Sequence, residues 1–422
     1  MALKPGCSRW PAFRALCAAP ATSSRPTRPT NSWRWISLWH ANVFCKNSFT
    51  ACRSTPTRTE TERGKNSLNH TEEKPNHAMS TATPQHTDHT IDGEPIPTLD
   101  DIATQHFALT PWVTRTPVFD RLDFPSLEGT VVNFKFELLQ AGGSFKARGA
   151  FTNLLALDEA QRSAGVTCVS GGNHAVAVAY AAMRLGISAK VVLFRAANPA
   201  RVALCRQYRA EIVFAENIAE AFELVRRIEA EEGRYFVHPF NGYRTVLGSA
   251  TLGYEWATQT PDLEAVIVPI GGGGLAAGVA TAMRLANPKV HIYGVEPEGS
   301  DAMGKSFAAN HTIKMGHMHT IADSLASPHT EEYSYELCRR HIDRLVTVSD
   351  EQLRAAMLTL FGQLKLAVEP ACAAATAALL GPLRETLQGK RVGVLLCGTN
   401  TDPVSFAAHI ERARHSQSQF PE

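Results

Sequence analysis

From about Thr98 the chain alternates short β-like runs with longer helical ones, and this alternation constrains the fold of its 422 residues more than any other feature. The candidate strands read "GTVVNFKFE", "GVTCVSG", "AKVVLF", "AEIVFA", "AVIVPIG", "VHIYGVE", "RLVTVS" and "RVGVLLCG". Helical patterns such as "NHAVAVAYAAMRLG", "IAEAFELVRRIEAEEG" and "GLAAGVATAMRLANP" lie between several of them. Repetition of strand, helix and strand at this spacing predicts an α/β fold of open, mostly parallel sheets with helices on both faces. The length predicts one two-lobed, enzyme-sized unit with additional material.

Sheets of this kind bind ligands outside the carboxyl ends of their strands. Three glycine-bearing turns follow apolar strands, "SGGNHA", "GGGGLA" and "CGTN", and all three can face one crevice. In "PIGGGGLAAG", Pro269 to Gly278, four glycines let backbone amides approach a ligand, and the following helix offers its positive end. Both favour a phosphate. A tight strand-to-helix turn is the plainer reading. The spacing is not the dinucleotide fingerprint, and no Walker lysine is present.

At "SGGNHAVAVAYAA", Ser170 to Ala182, a second helix start offers amides to a carboxylate, and Asn173 offers an amide donor to a ring hydroxyl or phenolate oxygen. Taken alone, capping of the helix by Ser170 or Asn173 is the commoner explanation of such residues. Lys146 follows Gly142, Gly143 and Ser144 and leads into an alanine-rich helix. A lone lysine is ordinarily solvated surface. Beside a phosphate loop and an anion-binding helix start, a partly desolvated lysine becomes a nucleophile toward an aldehyde cofactor.

The ordered segments "GGSFKARGA", "SGGNHAVAVAYAA", "GGGGLAAG", "TIADSLA", "AVEPACAAATAAL" and "LLCGTN" resemble the pyridoxal-phosphate enzymes of the tryptophan-synthase β-chain type, in a match that spans roughly Asp100 to Asp402. They look most like its threonine/serine dehydratase and serine racemase branch. The resemblance implies the type II fold of these enzymes, with two open sheets and pyridoxal 5'-phosphate in the cleft between domains. Residues 98–160 and 240–415 would form the large cofactor-binding domain and 161–239 the small one. Lys146 would carry the cofactor covalently and take the Cα proton of the substrate. Gly271, Gly272, Gly273 and Gly274 would hold the phosphate, Asn173 the phenolic oxygen, and Cys397 would face the pyridine nitrogen. A neutral partner there leaves that nitrogen largely unprotonated, which favours β-elimination over transamination; the plain alternative for Cys397 is a small buried strand residue. Ser170, Gly171, Gly172, Asn173 and His174 would bind the substrate carboxylate, with Ser144 nearby. The implied activity is that of an ammonia-lyase (EC 4.3.1) acting on L-threonine, L-serine or a bulkier analogue such as phenylserine.

Departures from the family pattern qualify this picture. Gly171 stands where serine racemases of this type carry a second serine, and racemisation needs acid/base groups on both faces. Glu296 matches one metal carboxylate, but Ala302 occupies the second position and Asp301 falls one residue early, so no metal is expected. The stretch Gly248-Ser249-Ala250-Thr251 differs from the usual sequence near the cofactor, and "QAGGSFK" lacks the expected threonine. Biosynthetic threonine dehydratases of this resemblance carry a C-terminal isoleucine-sensing domain, and with about 20 residues after "CGTN" the expectation is a catabolic, feedback-insensitive role. The rival readings are an amino-acid racemase and a non-catalytic sensor built on the cofactor fold.

Composition sets the remaining bounds. A net charge of +2 argues against nucleic-acid binding, and nine scattered cysteines without a C-x-x-C pair favour a reducing, cytoplasmic setting. No apolar stretch reaches the roughly 20 residues of a membrane span. Residues 1–95 are rich in Arg, Ser, Thr and Pro, carry no acidic residue before Glu60, and read as a disordered or non-native extension, with a start at Met79 preferred over a transit peptide. A homodimer or homotetramer acting on a small amino acid is expected by family analogy.

Overall fold

The computed structural model describes residues 90–124 and 127–418; Met79 and nearly all of the expected extension lie outside them. Twelve strands are present among these residues: β1 Thr90–Ile91, β2 Glu94–Pro95, β3 Val118–Arg121, β4 Val131–Lys135, β5 Val166–Val169, β6 Ala189–Phe194, β7 Glu211–Ala215, β8 Tyr235–Phe236, β9 Ala265–Pro269, β10 His291–Pro297, β11 Arg344–Val348 and β12 Arg391–Leu395. They form a six-stranded sheet in the order β11-β10-β9-β12-β4-β3, a four-stranded sheet in the order β7-β6-β5-β8, and a hairpin of β1 and β2. Every pairing in the two larger sheets is parallel except that of β3 with β4.

All eight strands read from the sequence are present. The sequence gives no signal for the short edge strands β3 and β8, whose alternation is too brief to detect. The β1–β2 turn uses Asp92 and Gly93, both at positive φ, as a two-residue hairpin requires.

Strand β5 is buried at every position, as is β9. Helices therefore cover both faces of each sheet, and the strands read as continuous apolar runs rather than alternating ones. The larger core gathers Val132, Phe134, Trp256, Ile267 and Val394, and the helix Pro370–Leu380 is buried through most of its length. Its alanines permit close approach between sheet and helix. A second core packs the helices Lys146–Leu155 and Asn173–Leu185 against β5 and β6.

Beneath the Lys146 helix lies a buried ionic network. Arg148 Nη2 is 2.7 Å from Glu137 Oε1 and 3.1 Å from Glu255 Oε2, and Lys135 Nζ is 2.6 Å from Glu255 Oε1. All four side chains are inaccessible to solvent, with exposures of 0–1 %. Two cations and two carboxylates balance, and Thr116 donates a further bond to Glu137 at 2.6 Å, so no buried charge is left uncompensated.

Candidate active site

The glycine turn before Lys146 is explained by its close approach to the end of β12. Gly142 and Gly143 adopt φ of 74° and 75°, a left-handed conformation that costs a side-chain-bearing residue energy. A Cβ at Gly143 would also overlap the side-chain oxygen of Asn400. The turn is then stitched to the chain after β12: Phe145 N donates to Cys397 O at 3.1 Å, and Thr399 N donates to Gly143 O at 3.0 Å. These bonds fix where the helix begins, and Lys146 is its first residue.

Lys146 opens onto a cavity of about 380 Å³ that it shares with Ser170–His174, Gly271–Gly274, Glu369 and Cys397. Its Nζ donates to the carbonyl of Pro239. Burial lowers the amine pKa to about 8, opposed in part by Cys397. A larger fraction is therefore neutral near physiological pH than for a surface lysine.

The four-glycine turn follows β9, next to β12 in the sheet. The helix Gly274–Ala286 begins there, and its first bond runs from Ala277 N to Gly273 O at 2.8 Å. The preceding amides have no partner within the helix, and its positive end adjoins the cavity. The carbonyls of Gly272 and Gly273 are taken by Thr330 Oγ1 at 3.1 Å and Cys338 Sγ at 3.7 Å. Cβ atoms at Gly272 or Gly274 would overlap Phe240, so packing requires glycine here.

In the turn after β5, Ser170 Oγ accepts from Gly172 N at 3.0 Å, and no side chain caps the helix Asn173–Leu185. Asn173 is used differently from a cap. Its Nδ2 donates to Glu369 Oε1 at 2.6 Å and its Oδ1 accepts from Asn400 Nδ2 at 2.8 Å. A long 3.5 Å contact to Ser324 Oγ takes the remaining N–H, a partner that a bound oxygen can replace. His174 places Nε2 2.8 Å from Val237 O, and burial lowers its pKa to about 3, so the ring is neutral. Ser144 Oγ is buried with no hydrogen-bond partner among the described residues. The Cys397 thiol is pushed up by its contact with Cys372 and by burial, and both cysteines are free.

Several cavity residues escaped the sequence reading. Arg201, on the helix Pro199–Gln207, reaches Asp323 Oδ2 at 2.5 Å and Glu369 Oε2 at 3.1 Å, and its Nε donates to Asn400 O at 2.9 Å. It joins a helix that packs beside the four-stranded sheet to the segments carrying Asp323, Glu369 and Asn400 across the site. Asp323 and Glu369 sit inside the segments "TIADSLA" and "AVEPACAAATAAL", so their placement was open to inference. Arg201 carries no local signal, because only the fold brings it to the carboxylates.

The departures also have structural settings. A Cβ at Gly171 would lie 2.6 Å from Cδ2 of Phe194. Glu296 accepts from Met303 N and Gly304 N, both at 2.8 Å, while Asp301 pairs with Lys305 at 2.7 Å. Burial raises the Glu296 carboxyl to about 8. The segment Gly248–Thr251 stands behind the Lys146 helix, where Gly248 packs on Gly149 and Thr251 Oγ1 is 3.4 Å from Arg148 Nη1.

Comparison with known proteins agrees with this geometry. Residues 109–398 match the family described as pyridoxal-phosphate dependent enzyme. The chain is 67% identical over 320 residues to phenylserine dehydratase of Ralstonia pickettii, covering 76% of this chain and 98% of that protein. It is 36% identical over 306 residues to L-threonine ammonia-lyase of Thermotoga maritima, covering 72% and 76% of the two chains. Among solved structures, maize serine racemase superposes with a TM-score of 0.70 at 33% identity, covering 76% of this chain and 98% of that one. Among the described residues, no helix is long and apolar enough to cross a membrane.

Proposed function

The chain belongs to the family of pyridoxal-phosphate dependent enzymes, and from that premise we propose that it is an ammonia-lyase of the dehydratase type. Its substrates are β-hydroxy-α-amino acids, with L-threonine, L-serine and phenylserine as candidates, and its products are a 2-oxo acid and ammonia. The relatives named phenylserine dehydratase and L-threonine ammonia-lyase support the reaction type. The observation that carries the reading is a desolvated Lys146 amine facing a four-glycine helix start across one cavity.

The residues present fit the cofactor. The glycine turn offers amides without helical partners, Asn173 has a replaceable contact, and Ser144 Oγ is buried and unpartnered. When bound, pyridoxal phosphate delocalises the electron pair left on the substrate Cα, which allows a β-substituent to leave. In this reading Lys146 holds the aldehyde and receives the Cα proton. Gly271, Gly272, Gly273 and Gly274 bind the phosphate through backbone amides. Asn173 donates to the phenolic oxygen, and Cys397, kept as a thiol, brings no charge to the ring nitrogen. Ser170, Gly171, Gly172, Asn173 and His174 orient the substrate carboxylate together with Ser144. Overall the Cα–H and β C–O bonds break, one water leaves, and one water returns as the released enamine is hydrolysed to oxo acid and ammonia.

Residues 98–160 and 240–415 serve in this reading as the cofactor-binding domain and 161–239 as the smaller one. The active form is a homodimer or homotetramer in the cytoplasm, which light scattering and cell fractionation test. For the activity itself, purified protein loaded with pyridoxal phosphate is scanned with L-threonine, L-serine and L-threo-phenylserine for 2-oxo acid and for D-enantiomer. Oxo acid from at least one substrate, lost in Lys146→Ala, is expected. D-enantiomer without oxo acid would make the protein a racemase and overturn the reading.

A further inference from the structure

One wall of the cavity is apolar. Phe194 closes the end of β6, Ile218 and Phe222 lie one turn apart on the helix Ile218–Glu232, and Met318 faces the same space. Residues four apart on a helix share a face, so Ile218 and Phe222 present one continuous surface. Phe194 and Phe222 are half-buried and pack on the small core of Val169, Val192 and Ala221, which holds both rings from behind. The charged groups of the cavity are placed elsewhere: Arg201 is engaged by Asp323 and Glu369, and Lys146 lies beside Pro239.

The Phe194 ring lies where a side chain at position 171 would stand. An added Cβ there would meet Cδ2 at 2.6 Å and Cε2 at 3.1 Å, well inside contact distance for carbon atoms. Glycine at 171 and phenylalanine at 194 are therefore one packing solution. A side chain at 171 requires the ring at 194 to shift from this position.

We propose that this wall is the subsite for an aryl β-substituent, and that the Gly171–Phe194 pair determines substrate choice. The inference rests on the dehydratase reading and specifies its substrate as a β-aryl-β-hydroxy amino acid. A phenyl ring finds two aromatic side chains, Phe194 and Phe222, together with Ile218 and Met318, an environment that suits offset or edge-to-face stacking. A β-carboxylate in the same place would lose its hydration without gaining a cation, which disfavours 3-hydroxyaspartate. The methyl group of threonine would leave the wall unfilled.

The test compares the full chain, loaded with pyridoxal phosphate, with Phe194→Ala, Phe222→Ala, Gly171→Ser and the double variant Gly171→Ser/Phe194→Ala. Values of kcat/KM are measured for L-threo-phenylserine, L-threonine and L-threo-3-hydroxyaspartate. Binding of L-phenylalanine and L-alanine, which have no β-hydroxyl to lose, is measured by calorimetry. The native protein is expected to prefer phenylserine. In Phe194→Ala and in Phe222→Ala the ratio of phenylserine to threonine kcat/KM should fall by roughly 10- to 200-fold, the range for losing one apolar pocket contact. L-phenylalanine binding should weaken in parallel. Gly171→Ser should lower Tm, and adding Phe194→Ala should restore it. A native preference for threonine or hydroxyaspartate, or an unchanged ratio in both phenylalanine variants, would overturn the subsite. Absence of oxo acid from all three substrates would instead fail the dehydratase reading. The wall would still be decided by calorimetry, upheld by preference for L-phenylalanine lost in Phe194→Ala and overturned by equal binding of the two ligands.

Discussion

Gly142 and Gly143 share a backbone conformation but not an environment, and substituting each with alanine separates two reasons for glycine before Lys146. At Gly142 the added methyl meets only Val176 Cγ1 at 3.8 Å, an ordinary contact. The cost is then the left-handed conformation alone, about 1–2 kcal/mol. At Gly143 the same strain applies, and the methyl also displaces the Asn400 side chain. That side chain donates to Gly142 O at 2.7 Å and to Asn173 Oδ1 at 2.8 Å, each bond worth about 1 kcal/mol net. Gly143→Ala should therefore cost about 3–4 kcal/mol, about 2 more than Gly142→Ala. The two should differ more sharply in activity, because moving Asn400 disturbs Asn173 and the turn that registers Lys146 against β12. A displacement near 1 Å at reacting groups costs about a hundredfold in rate. Urea midpoints and initial rates of 2-oxo acid formation measure both effects. Equal losses of stability and of rate in the two variants would refute the argument that Gly143 is glycine because of Asn400.

Other expectations follow from the same geometry. Arg148→Met removes one cation from a fully buried network and leaves Glu137 without its charged partner, so a loss of about 3–5 kcal/mol is expected in a denaturant melt; a loss under 1 kcal/mol would show that water reaches the cluster. Lys146 is protonated below its lowered pKa of about 8 and neutral above it. Uptake of pyridoxal phosphate by cofactor-free protein should therefore rise with pH and level off just above 8, whereas an ordinary lysine would continue rising toward about 10.4. Asn173→Ala removes the amide shared by Glu369 and Asn400 and should lower kcat more than it raises KM; an effect on KM alone would leave Asn173 its part in substrate binding and take away its part in holding the cofactor.

The sequence was most informative where chemistry and backbone geometry coincide. The four glycines, Asn173 and Cys397 follow closely on strands with unmistakable apolar runs, Lys146 opens a helix after a glycine turn, and the structure brings all of them to one cavity. Arg201 was not legible, because its partners Asp323 and Glu369 are more than a hundred residues away and only the assembled fold unites them. Gly171 was legible as a departure from a family pattern but not as a packing partner, since nothing in "SGGNH" announces the ring of Phe194. The edge strand β3 was missed because four residues with no buried face leave no periodic signal.

Reductive trapping shows which lysine holds the cofactor. Protein loaded with pyridoxal phosphate is treated with borohydride, digested, and its peptides are weighed by mass spectrometry. The pyridoxyl phosphate mass is expected on the peptide containing Lys146 alone, with no labelling in Lys146→Ala. Labelling of a different lysine in native protein, or no label at all, would contradict the assignment of Lys146.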